Sequence, residues 1–333
     1  MTTKKTHRIT ALAALLGLAM GTAHAQFKDA QLQALVDSGK TIELERVAQA
    51  RLSAKADDAE AAAALGIIAM GSGEEKKIDA AASRLEHCTG KQSPTALCHY
   101  VLGSLSGMQA MNASVFRMPT LAGKSRDNLR RAVELDPQLY EARESLLQYY
   151  VMAPGIVGGG ADKAQALIAE SEKINAEHGK LLRAKMASAE KQWAVAEREL
   201  AAVKPGENKD LRATLRKSWS QLGASQMAAK QHDAAKGVFE RVQRDFPEHA
   251  AGSYGLARVL TELNKPDEAV ALLERARSLE GSAGYPIDYR LGLAWLAKGD
   301  KAQAKAALQR YVGDKGANLR NLEDARKRLA ELG

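Results

Sequence analysis

Residues 217–250 read KSWSQLGASQMAAKQHDAAKGVFERVQRDFPEHA, and the spacing inside this stretch decides the fold. Trp219, Leu222 and Gly223 stand in one apolar-periodic run, Ala235 and Phe239 in a second, and Pro247 closes the unit. Apolar residues at intervals of three and four place a stripe on one helix face, so the stretch predicts two amphipathic helices joined by a short turn. The unit is 34 residues long, and its register returns two periods on, one residue late, at Leu291, Gly292, Ala304 and Leu308. A fixed period of this length marks a solenoid, in which each hairpin buries its apolar face on the next. Gly or Ala at the small positions lets the helices approach, while Trp, Tyr, Leu or Phe fill the gaps between them.

Composition agrees with an all-helical chain. Aromatic residues make up only 5% and eight prolines are spread over 333 residues, so few breakers interrupt the helical periodicity. Period-two runs of Val, Ile and Thr are missing, and no strand is predicted.

The 34-residue unit resembles the tetratricopeptide repeat, strongly over 216–312, moderately over 59–176 and weakly at both ends. The resemblance implies an all-α, right-handed α-solenoid of about eight hairpins over 26–317, with 318–333 as a C-terminal capping helix whose charged outer face suits that place. Each hairpin has a first helix (A) and a second (B). Repeat one carries Gly39 in its turn, repeat two Leu65 and Gly66, repeat three Leu102 and Gly103, and repeat four Leu146 and Leu147. Repeat five is the least typical, with Trp193, Ala196 and Leu200 in its second half; repeat seven carries Leu256, Ala257, Ala269 and Leu273. Trp193, Trp219 and Trp295 all fall on repeat positions, so core packing accounts for them, with an interface role as the alternative.

Such proteins are scaffolds whose concave groove, lined by A helices, binds peptides or protein segments. The register predicts a groove lining of Tyr100, Ser104, Glu144, Gln148, Lys185, Ser220, Ala224, Tyr254, Arg258 and Tyr289. One groove type clamps a peptide carboxylate with a set of Lys, Arg and Asn residues, and this sequence lacks that set. A mixed lining of tyrosines and isolated charges suits polypeptide recognition.

Two insertions break the period, at 106–124 and at 153–160. The first encloses Met108, Met111, Phe116, Arg117, Met118 and Pro119; with proline at a helix start, it predicts a hairpin with both helices lengthened and a short apolar tip. The second reads Pro154, Gly155, Ile156, Val157, Gly158, Gly159, Gly160, before a helix that opens at Ala161. Both lie on one edge of the solenoid, so they are expected to meet and to roof one end of the groove beside Tyr100, Glu144 and Gln148. Glycines before a helix invite a phosphate-binding reading. Without Gly-Lys-Ser/Thr or a preceding strand, and with Asp162 in the first turn, a structural turn is the plainer reading. The string from Pro154 to Ala164 also resembles loops in exported bacterial tetratricopeptide-repeat proteins, some of them partners of solute transporters.

Lys4, Lys5 and Arg8 precede an apolar run over 11–20, followed by Ala23, His24 and Ala25. This is the layout of a secretory signal peptide cut before Gln26, and the run of about ten apolar residues is half of what a spanning helix needs. The expected location is periplasmic or secreted. Cleavage removes three basic residues and lowers the net charge from +8 to +5. Acidic and basic residues alternate along the helices, so no single-sign face is available for nucleic acid.

Cys88 and Cys98 are the only cysteines, separated by a nine-residue turn with Gly90 and Pro94. In an oxidising compartment they form a disulfide that contributes about 2 to 3 kcal/mol in the chain-entropy model. Zinc is the alternative, since His87 and His99 flank the pair, but convergence of all four side chains requires both helix ends to unwind. No nucleophile elbow, zinc-protease motif or dinucleotide fingerprint occurs, and the histidines His87, His99, His178, His232 and His249 fall on different repeats. Glu141 and Glu144 stand at helical spacing, not as an isolated acid pair. The expectation is a binding module without catalysis, cofactor or metal, whose ligand is a protein or peptide. The alternative is a small-molecule pocket under the insertions at Met108, Phe116 and 156–160.

Overall fold

The computed structural model describes residues 26–90, 95–314 and 316–333. The predicted leader (1–25) and Pro94 of the predicted turn lie outside the described residues. Among the described residues there are seventeen α-helices, two single-turn 3-10 helices and no strand.

Eight hairpins follow one another, and in each the odd-numbered helix is A and the even-numbered is B. They are α1 (Ala30–Asp37) with α2 (Thr41–Ala54), α3 (Ala59–Ser72) with α4 (Glu75–Thr89), α5 (Ala96–Asn112) with α6 (Met118–Leu135), and α7 (Tyr140–Met152) with α8 (Ala161–Ile174). Then come α9 (Ala176–Ala189) with α10 (Trp193–Ala201), α11 (Lys209–Ala228) with α12 (His232–Asp245), α13 (Ala250–Glu262) with α14 (Pro266–Arg277), and α15 (Ile287–Lys298) with α16 (Lys301–Val312). Helix α17 (Leu319–Leu332) covers the last hairpin through Leu322, Ala325, Leu329 and Leu332.

Local chemistry sets the helix ends. Asp29, Asp58, Thr95, Asn175, Asn208 and Asn318 each accept a backbone N–H of the first turn of α1, α3, α5, α9, α11 and α17, which supplies an acceptor for otherwise orphaned donors. In six hairpins the turn between helices holds one left-handed residue: Gly39, Gly73, Lys191, Lys230, Asn264 and Gly299. The remaining two hairpins are those with the insertions.

The Leu-Gly pair packs as the period requires. A Cβ on Gly223 would stand 2.8 Å from Phe239 Cε2, and one on Gly255 would stand 2.0 Å from Phe239 Cδ1. Phe239 therefore fills the space that two glycines on successive A helices leave open, which is how small and large positions of neighbouring repeats interlock.

The solenoid returns on itself. The turn of the first hairpin meets the loop before α15, where a Cβ on Gly39 would stand 2.6 Å from the Gly284 nitrogen. Asn318 Nδ2 donates to the Gly71 and Ser72 carbonyls at 3.1 and 3.3 Å, joining the second hairpin to the cap of the eighth. These contacts bridge 246 and 247 residues, and the period alone does not predict them.

Candidate functional site: a groove closed head to tail

The A helices line a groove with two adjoining cavities. The first, of about 490 Å³, is bounded by α7, α9 and α11 through Gln148, Lys185, Ser218 and Gln221. The second, of about 640 Å³, has Ser220, Tyr254, Arg258 and Tyr285 on one side and Gln26, Gln33 and Asp37 of the first repeat on the other. Gln221 and Ala224 border both. The groove is therefore walled at this point by the meeting of the first repeat with the seventh and the loop that follows it.

Ser104 lines neither cavity, and the other nine predicted groove residues fall into three groups. Gln148, Lys185, Ser220, Ala224, Tyr254 and Arg258 line the cavities. Tyr100 and Glu144 are taken up in packing instead. Tyr100 wedges between the core of the first three hairpins and that of the middle ones. Burial pushes its hydroxyl pKa up, and Glu141 and Glu144 push it further. Glu144 is buried and accepts from Lys185 Nζ at 2.8 Å. Burial opposes its charge, but Lys185 and then Lys217 outweigh that and hold the carboxyl below its usual range. Tyr289 departs from the groove entirely: it is buried under the cap, donating to Asp324 Oδ2 at 2.9 Å and lying 5.4 Å from the Tyr311 ring.

At the insertions, α5 and α6 extend to 17 and 18 residues and leave 113–117 as the tip. Pro119 sits in the first turn of α6. The second insertion forms a 3-10 turn, Gly155–Val157, and packs on the flank of α6. The Val157 carbonyl accepts from Tyr149 OH at 2.7 Å and from Arg126 Nη1 at 3.2 Å. The expected roof is not formed. Phe116 is 89% exposed and Ile156 95% exposed, Arg117 and Pro154 are exposed too, and Met108 packs into the core of the first three hairpins. The reason lies in Gly159, where a Cβ would stand 1.8 Å from the Ala153 carbonyl oxygen. The Gly158, Gly159, Gly160 run folds the loop back on the end of its own helix, away from the groove. Gly160 then leads into α8, and Lys163 Nζ donates to the Gly158 carbonyl at 2.9 Å, tying the loop to the first turn of that helix.

Cys88 and Cys98 form a disulfide with Cα atoms 6.2 Å apart. His87 and His99 turn away from it: His87 Nδ1 lies 3.0 Å from the Ser83 carbonyl, and His99 Nδ1 lies 2.8 Å from Asn128 Oδ1. The four side chains do not converge, because adjacent helical residues diverge by about 100°.

Sequence reasoning missed several residues. Arg143 is 1% exposed on α7, donating to the Pro137 carbonyl, Ser171 Oγ and Glu170. Arg216, Tyr285, and Gln26, Gln33 and Asp37 of the first repeat border the second cavity. Nothing in the 34-residue spacing says that the first repeat faces the seventh. Among the described residues no helix is long and apolar enough to cross a membrane.

Residues 226–283 match one tetratricopeptide repeat family and residues 288–314 match a second. No curated protein matches the sequence. Among solved structures, a chain of the APC/C hetero-tetramer Cut9–Hcn1 is 14% identical with a TM-score of 0.44, over 90% of this chain and 54% of that one, so this chain spans about half its length. A tetratricopeptide repeat protein from Parabacteroides merdae is 16% identical with a TM-score of 0.41, over 77% of this chain and 93% of that one. The yeast Tom70 is 13% identical with a TM-score of 0.36, over 84% and 64%.

Proposed function

This chain is a tetratricopeptide-repeat protein, and we propose that it is an exported scaffold that holds a segment of a protein partner in its concave groove and performs no chemistry on it. The observation that carries this reading is the pair of adjoining cavities, about 490 and 640 Å³, lined by successive A helices and sharing Gln221 and Ala224. Their lining mixes tyrosine rings, amides and single charges, a surface that offers hydrogen bonds and flat apolar area to a polypeptide backbone. A solute pocket under the insertions draws no support, since Phe116 and Ile156 face solvent. A periplasmic or secreted location is supported by the leader-like residues 1–25 and by the oxidised Cys88–Cys98 pair.

Ala224 is the place to test the groove, because one bulky side chain there obstructs both cavities. Affinity capture from the periplasm with the wild type and with Ala224→Trp should recover a partner with the first and lose it with the second. Recovery of the same partner by both would end the groove reading. The N-terminus of the purified protein should read from Gln26, and an uncleaved N-terminus in the cytoplasm would end the location reading.

A further inference from the structure

Among the described residues, three arginines sit off the surface with no carboxylate within ion-pair distance: Arg216 on α11, Arg258 on α13 and Arg290 on α15. Every other arginine of comparable shelter is paired. Arg51 has Asp29 and Asp58, Arg126 has Asp127, Arg143 has Glu170, Arg183 has Glu199, Arg241 has Asp245, and Arg328 has Asp324. The exceptions stand on three successive A helices, and two of them, Arg216 and Arg258, border the larger cavity together with Lys217 and the carboxylates of Asp37, Glu141 and Asp210.

The exceptions are costly to the isolated chain. The Nε of Arg258 and of Arg290 is buried with no acceptor, and an unmet buried donor on a charged group is among the dearer features a fold can carry. Burial opposes the charge of Arg258 and Arg290 adds like-charge repulsion, while Tyr254 and, from beyond pairing distance, Glu262 favour it. Burial likewise opposes the charge of Arg216, while Glu248, Asp37 and Glu280 favour it from beyond pairing distance. Glu248 already accepts from Arg212. What holds two of the guanidinium groups in place is aromatic: Arg258 lies over the Tyr254 ring at 5.9 Å and Arg290 over the Tyr289 ring at 5.4 Å. Ring faces steer a guanidinium without using its N–H donors, so the forks remain available for a planar anion.

The row is too long for one small anion. Neighbouring packed helices stand about 10 Å apart, so three alternate helices of the solenoid spread the arginines over roughly 20 Å, the length of about six extended residues. Tyr254 and Tyr285, with rings 4.6 Å apart, supply apolar surface between the charges.

We infer that the groove wall formed by α11, α13 and α15 binds an extended acidic segment of a protein partner, with Arg258 at the centre and Arg216 and Arg290 on either side taking successive carboxylates. This rests on the groove reading above and specifies the chemistry of its ligand. The test is selection of random dodecapeptides displayed on phage against the purified protein, repeated with Ala224→Trp, Arg258→Gln and Arg258→Lys. Recovered peptides should be enriched in Asp and Glu and lost with Ala224→Trp. Their synthetic copies should bind Arg258→Gln at least tenfold more weakly and Arg258→Lys at an intermediate level, because lysine keeps the charge but not the fork. Peptides that depend on Ala224 yet are not acidic, or that bind Arg258→Gln equally, would overturn this inference and leave the groove reading standing. Failure to recover any peptide sensitive to Ala224→Trp would overturn both. Displacement of the peptides by submillimolar inorganic phosphate would reassign the arginines to a small anion and overturn the polypeptide ligand.

Discussion

Arg143 and Arg258 both belong to A helices and both are withdrawn from solvent, yet the molecule treats them in opposite ways. Around Arg143, the carbonyl of Pro137, the hydroxyl of Ser171 and the carboxylate of Glu170 meet the guanidinium on three sides. Around Arg258 there is a tyrosine ring, a second arginine, a cavity and one carboxylate, Glu262, beyond pairing distance. Arg143 is satisfied within its own hairpin, whereas Arg258 and Arg290 each keep an Nε without an acceptor. A buried charge satisfied by its own fold is a structural part; one left without acceptors marks where something else is expected to sit.

This contrast makes unequal demands on stability. Arg143→Leu should cost the most, about 3 kcal/mol in urea unfolding, because Ser171 and the Pro137 carbonyl lose their donor in a closed site. Arg258→Leu should change stability by less than about 1 kcal/mol, since it removes an unmet donor along with its charge. Equal losses for the two would erase the distinction. Reduction of Cys88–Cys98, measured in the same way, should cost about 2 to 3 kcal/mol by freeing a short loop in the unfolded chain.

His249 carries a pH signature of the second region. It caps α13, with Nδ1 accepting from the Ala251 N–H at 3.1 Å, and it is packed against Gly281. Burial first, and then the charge of Arg216, lower its pKa from 6.5 to about 4. The unfolded chain therefore takes up the proton first as pH falls. The stabilisation is present above pH 6.5 and is lost as pH drops toward 4, an effect of about 3 kcal/mol. His249→Asn keeps a capping acceptor and should flatten this part of the stability profile; an unchanged profile would assign the acid sensitivity elsewhere. The smallest effect belongs to the lobe. Phe116→Ser together with Ile156→Ser should shift unfolding by less than about 0.5 kcal/mol, because neither side chain is buried. A larger loss would mean that the lobe packs on the body of the protein.

The hairpins were legible because each is a local object. Trp219, Gly223, Phe239 and their counterparts at Leu291, Gly292 and Leu308 lie within one or two periods of one another, and a 3.6-residue periodicity reports local packing directly. The lengthened α5 and α6 were legible for the same reason, from Pro119 and the extra turn of sequence. The roof over the groove was misread because the direction of a loop depends on tertiary contacts. Gly159 folds back on Ala153, and Arg126 and Tyr149 hold Val157 against α6, whereas a string of glycines in sequence points nowhere. Tyr289 was placed in the groove by register alone, and the cap covers it.

Periodicity, small-residue positions and capping side chains were enough to establish an all-helical stack of hairpins with a terminal cap and a disulfide between its second and third units. They act over a few residues, where chain connectivity already supplies the proximity. Where the first repeat meets the last, which A-helix charges are paired, and which arginines face a cavity are properties of the superhelix. Each hairpin adds a small rotation to the stack, and only the sum over eight of them brings Gly39 to Gly284 and Asp37 to the wall opposite Arg216.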